Sequence, residues 1–199
     1  MVRSLSSALL AVAVLWGTGL PTAMAQDTAI HGVRGFLPNL KFSLQGAGDK
    51  TYTGKDLQGQ TVLLFFGYAS CPDICPTTML QLAEVVENLE DEDEDIRIVF
   101  ISVDPHRDTP EILQDYVDLF NDQALGLTGS EKAIADVARR YRVSYQIEKP
   151  KSDDEDDYDV AHSRGVYVFD RDGRARLLAA DGESVEQLTE AVRKVIESS

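Results

Sequence analysis

Cysteine is scarce in this chain: only Cys71 and Cys75 occur in 199 residues, so no framework of several disulfides can hold it together. Stability has to come from an apolar core, and 43% hydrophobic residues over this length suffice for one domain and not for two. Cations are also in short supply. Lys and Arg number 19 against 34 Asp and Glu, a formal charge of −15, which repels phosphate backbones and excludes nucleic acid as a partner. Basic protein surfaces would be attracted. Long apolar runs are missing: the best candidate, Ser4 to Leu20, falls short of the ~20 residues a membrane span requires. No internal repeat is visible, and the low-complexity stretches are two acidic blocks, "EDEDED" at 90–95 and "DDEDDYD" at 153–159. Both read as solvated loops; the second lacks the glycine an EF-hand needs at its sharp turn.

What the N-terminus does contain is Arg3, an apolar run from Ala8 to Leu15, helix breakers at Gly17, Gly19 and Pro21, and then Ala23-Met24-Ala25. This is the pattern of an export signal with an A-x-A cleavage site, so the expected organisation is a signal peptide at 1–25, a linker at 26–36 and one domain at 37–199. No twin arginine is present, and neither cysteine lies near Ala25, which excludes a lipid-modified cysteine at the cleavage point. The expected location is periplasmic, soluble or peripheral. The alternative is an uncleaved inner-membrane anchor. Export implies an oxidising compartment, where two cysteines most often pair in a structural disulfide.

Patterning along the chain predicts an α/β fold. "KFSLQGAGDKTYTGKDLQGQ" alternates around Gly46-Ala47-Gly48-Asp49 as an N-terminal hairpin, and "TVLLFFGY" is an apolar run of strand length, buried on both faces. Apolar positions from Met79 to Leu89 at helical spacing predict a helix from about Pro76. "IRIVFISV" is a second strand, followed by a helix with Thr109 as N-cap and Pro110 in its first position. A third helix after Ser130, a strand "VSYQI", a hairpin turning at Asp172-Gly173 and a last helix with a Ser184/Gln187 capping box complete the order. Strand–helix–strand at the front demands a parallel pair and the hairpin at the back demands antiparallel strands, giving a mixed central sheet flanked by helices.

A strand delivering two cysteines to the start of a helix is the layout of a thioredoxin-like fold. The helix N-terminus favours a thiolate, and Pro76, tolerated only in a first turn, places Cys75 beside that terminus. Three residues separate the cysteines, where thioredoxin-type redox motifs have two. Such a pair can close as a disulfide, or hold one metal ion if a third ligand is at hand. Of the three histidines, His31 lies in the linker and reads as solvated. His106 follows the second strand, on the cysteines' edge of the sheet if those strands are parallel. His162 immediately precedes a strand of the back half.

Three stretches, "TVLLFFGYASCPDICPTTM", "ISVDPHRDTPEILQDYV" and "HSRGVYVFDRDG", closely resemble the signatures of the Sco/SenC family in order and spacing, over a span from about Gly35 to Glu197. The resemblance implies a thioredoxin-like copper protein of cytochrome c oxidase assembly, with Cys71, Cys75 and His162 as copper ligands. Two thiolates suit copper(I) and an imidazole suits both oxidation states, while zinc would accept the same set plus a water. Two positions depart from the family: Ala161 stands where an acidic residue usually precedes the ligand histidine, and His106 where glutamate is more frequent. His106 is therefore a candidate auxiliary ligand.

The favoured function is a copper chaperone that hands its ion to the dinuclear copper site of cytochrome c oxidase. Its partners would be the copper-site subunit, an upstream copper donor and a thiol reductant. Release requires one ligand to let go, and the acidic segment before His162 suggests a polar, mobile loop. The alternative is a thiol–disulfide oxidoreductase with Cys71 and Cys75 as its catalytic pair, Cys71 attacking and Cys75 resolving. No proline lies between Pro150 and the strand near Gly165, where thioredoxin-like reductases carry a cis-proline, and this favours metal. A binding domain with a structural disulfide is the third reading.

Overall fold

A computed structural model describes residues 30–33, 35–90, 95–180 and 183–199. The segment read as a signal peptide and the middle of the first acidic block lie outside the described residues. Six strands form one mixed sheet in the order β1 (Ile30–Gly32), β10 (Ala175–Ala179), β9 (Val166–Phe169), β4 (Thr61–Gly67), β5 (Ile96–Ser102), β6 (Leu125–Leu127). β4, β5 and β6 run parallel, whereas β9, β10 and β1 are antiparallel to their neighbours.

The centre of the sheet is the apolar run Thr61–Gly67, every residue of which is buried. Successive side chains point to opposite faces, and each face is covered by a helix. On one side Phe66 packs with Tyr141 at the end of α3 (Glu131–Tyr141). On the other, Phe65 and Phe100 meet below α1 (Ile74–Glu87), which packs beside α4 (Val185–Glu197). The capping signals hold: Thr109 caps α2 (Pro110–Asp118), Ser130 caps α3, and Ser184 with Gln187 forms a capping box on α4. The N-terminal hairpin of β2 (Ser43–Gly46) and β3 (Lys50–Thr53) is a separate two-stranded sheet.

Four features differ from the sequence expectation. The first helix starts at Ile74, two residues before Pro76. The chain also forms β1, within the stretch read as a linker, and β6; each is three residues long, too short to show a period. His31, expected to be free in solvent, is exposed but lies in β1, paired with Leu178. Lastly, the "VSYQI" strand does not join the central sheet. It becomes β7 (Tyr145–Ile147) and pairs with β8 (Val160–His162) to make a third, two-stranded sheet that stands apart as an arm.

Candidate metal centre

β4 ends at Gly67, and the chain then turns through Tyr68, Ala69 and Ser70 to Cys71 and on to α1. Cys75 is the second residue of that helix and is fully buried, while Cys71 in the loop is partly exposed. The buried sulfur occupies space that Gly67 leaves open. A Cβ at Gly67 would lie 2.7 Å from Cys75 Sγ and 2.9 Å from the Phe100 ring. Both thiols are free.

His162 arrives from the other direction, as the last residue of β8, opposite Tyr145 of β7. Its ring stands edge-on between Phe65 and Tyr68, with centroids 6.0 and 5.9 Å away. Nδ1 lies 3.0 Å from the Ser163 carbonyl oxygen. That oxygen can only accept, so Nδ1 carries the proton and Nε2 keeps its lone pair. Nε2 in turn sits 3.5 Å from Cys75 Sγ. The donor atoms of Cys71, Cys75 and His162 all lie within 4.8 Å of one another. Among the described residues this is the one group of three or more His, Cys, Asp or Glu side chains close enough to share an ion.

Electrostatics differ between the donors. Burial pushes the Cys75 thiol well above its ordinary range, although its place in the first helical turn was expected to favour the thiolate. The reason is magnitude: a helix terminus contributes about 0.3–1 kcal/mol, less than the cost of burying a charged sulfur. Burial lowers the His162 pKa, so the imidazole is neutral and ready to donate at neutral pH. A soft cation replacing the Cys75 proton would leave two sulfurs and one nitrogen around it, a set that fits copper or zinc.

His106 is not brought to this cluster. β4 and β5 are parallel, as its placement required, but its side chain is 69% exposed and Nε2 pairs with Asp156 at 3.3 Å. Ala161 is exposed, and strand alternation turns its side chain away from the face His162 uses. The acidic stretch is less free than its composition suggests, because Tyr158 is buried within it. Sequence reasoning passed over the residues that tether it, Asp104 and Arg107, although both sit in the "SVDPHRDTP" stretch that drew attention to His106.

A family profile described as SCO1/SenC matches residues 37–197. A mitochondrial SCO2 homologue of Bos taurus is 42% identical over 155 residues, 77% of this chain and 58% of the relative. An SCO2-like protein of Rickettsia prowazekii is 39% identical over 133 residues, 67% of this chain and 64% of the relative. The chain thus spans less than two thirds of the length of these curated relatives. Among solved structures, copper-bound ScoI of Arabidopsis thaliana shares 36% identity at a TM-score of 0.75, covering 81% of this chain and 99% of that one. Copper-bound ScoI of Bradyrhizobium japonicum shares 33% at a TM-score of 0.70, covering 79% and 98%.

Proposed function

Because the chain belongs to the SCO1/SenC family, we propose that it binds one copper ion through Cys71, Cys75 and His162 and delivers it to the dinuclear copper site of cytochrome c oxidase during assembly. The observation that carries this reading is the convergence of two free thiols on an imidazole whose lone pair faces them, held in that tautomer by the Ser163 carbonyl. Copper(I) is served by the two sulfurs. Copper(II) needs the nitrogen as well, so the ion can be held through a change of charge and released when the histidine lets go. The acceptor is the copper-site subunit, with an upstream copper donor and a thiol reductant as further partners. Export to the periplasm, with cleavage before Gln26, belongs to the same proposal. Among the described residues no helix is long and apolar enough to cross a membrane.

Titration of the reduced protein tests it. One copper(II) per chain should bind with a thiolate-to-copper charge-transfer band in the visible, and stoichiometric binding without the band would remove the cysteines from the ion. Cys71→Ala and Cys75→Ala should lose both oxidation states, whereas His162→Ala should lose copper(II) selectively.

One observation favours a second reading, thiol–disulfide exchange: Cys71 is partly exposed and Cys75 buried behind it, the order of an attacking and a resolving thiol. In that reaction the Cys71 thiolate attacks a target disulfide, releasing one target thiol, and Cys75 displaces the other as the Cys71–Cys75 disulfide forms. Neither step uses His162. Full oxidase assembly by His162→Ala at limiting copper, with both cysteine variants inactive, would put this reading in place of the first.

A further inference from the structure

The connection between β5 and α2 touches both halves of the site without supplying a donor to it. Toward the cysteines, the buried Asp108 carboxylate accepts hydrogen bonds from the Ala69 N–H at 3.0 Å and from Ser102 Oγ at 2.5 Å. Ala69 is two residues before Cys71. Toward the histidine, the fully buried Asp104 carboxylate accepts from Tyr158 Oη at 2.9 Å and from Arg107 Nε. Ser102 Oγ also accepts from the Asp104 N–H, which joins the two sides into one network.

Arg107 reaches the arm too, beside the His106–Asp156 pair and the Tyr158–Asp104 hydrogen bond. Its Nη1 donates to two backbone carbonyls there, Asp156 at 2.8 Å and Tyr158 at 2.9 Å. Its guanidinium lies 3.7 Å from the centre of the Tyr158 ring and 5.6 Å from that of Tyr68, the ring that flanks His162. Nη2 is buried without a hydrogen-bond partner among the described residues. The guanidinium is thus placed by what it bridges and not by its own full satisfaction, since a buried donor left unpaired is costly. Among the described residues the β7–β8 arm shares no ladder with the central sheet, so no strand pairing with that sheet fixes its position against the cysteines.

We propose that Arg107 is a positioning residue that seats the His162 arm on the cysteine loop, joining the Asp104 carboxylate to the Asp156 and Tyr158 carbonyls so that the imidazole faces the thiols. The forked, planar guanidinium suits this task because it bonds a carboxylate and two carbonyls at once; a lysine ammonium is a single point that cannot span them. The metal readout rests on the copper reading of the site, but the position of the arm does not.

The experiment uses the whole protein with Arg107→Leu, Arg107→Lys and Tyr158→Phe. In the metal-free state, amide hydrogen exchange in 145–147 and 158–163 should rise at least about tenfold in Arg107→Leu, less in Arg107→Lys and least in Tyr158→Phe, with β4 and β5 unchanged. In the copper(II) state, Arg107→Leu should move the charge-transfer band and affinity toward those of His162→Ala while copper(I) affinity stays within about threefold, and Arg107→Lys should restore part of the band. If Arg107→Leu does not fold, Arg107→Lys and Tyr158→Phe carry the test through the same arm-specific exchange. A rise in exchange spread evenly over β4, β5 and the arm would overturn the proposal, as would unchanged exchange in the arm. Should the parent protein bind no copper, the copper reading fails, and the exchange measurement still decides the role of Arg107.

Discussion

The cysteine loop and the histidine arm bring donors to the same few ångströms by different means. Cys75 is fixed by the core: it lies in the first turn of a long helix, over the most buried strand, in a space shaped by Gly67 and Phe100. His162 sits between the Phe65 and Tyr68 rings at the end of a two-stranded arm, which Val160 and Tyr158 anchor in the core, which hydrogen bonds from Arg107 and Tyr158 tie to the β5–α2 connection, and whose outer stretch is acidic and exposed. Apolar packing holds an atom tightly and yields it only with the fold, whereas a few hydrogen bonds can be broken and remade at small cost. The Cys75 half of the site is thus built into the core of the domain, and the His162 half is carried on the arm.

Acidity should separate the halves most strongly. Metal binding must displace the proton that burial keeps on Cys75, so apparent copper affinity should rise at least about tenfold per pH unit through the neutral range, or ~2.7 kcal/mol over two units. The imidazole, already neutral there because its pKa is lowered, adds nothing to that slope. Copper titrations at several pH values should give the same slope in His162→Ala as in the parent. A flattened slope would place the displaced proton on the arm.

Next in size is Gly67→Ala, which puts a carbon into the sulfur's space. Overpacking of this kind costs about 1–3 kcal/mol, read as a lower denaturation midpoint, and it should weaken copper(I) and copper(II) together. A change at the arm should be smaller and confined to it. Ser163 Oγ accepts from the Ser144 N–H at 3.0 Å at the root of β7. Ser163→Ala should therefore cost about 0.5–1.5 kcal/mol, seen as faster exchange in the arm with the global midpoint almost unmoved. Least of all, Ala161→Asp should change copper(II) affinity by no more than about threefold, because alternation along β8 gives position 161 the face opposite to that of His162. A larger gain in a direct titration would show that a carboxylate there reaches the imidazole.

Legibility in the sequence followed the same division. The strands at the centre of the sheet are long apolar runs, and the helices carry caps, so hydrophobic period and capping residues were enough to find them. β1, β6 and β8 have three residues each and take their form from neighbouring strands, which no local pattern announces. The cysteines declared themselves through Pro76 and the preceding strand. Spacing alone did not single out His162, because its approach depends on an arm built from residues 145–162 and on contacts with Asp104 and Arg107 far away in the chain. Asp104 and Arg107 read as ordinary charged loop residues until burial shows what they hold. Helical position suggested an acidic thiol at Cys75, and depth, invisible in the sequence, reversed the sign.

The missing side chain of Gly67 also sets an order of events in time. Cys75 is fully buried, its sulfur in the space that Gly67 leaves open beside Phe100, while Cys71 is partly exposed. Alkylation of the metal-free protein should therefore proceed as two separated steps, a fast one at Cys71 and a slow one at Cys75 whose rate falls with the bulk of the reagent.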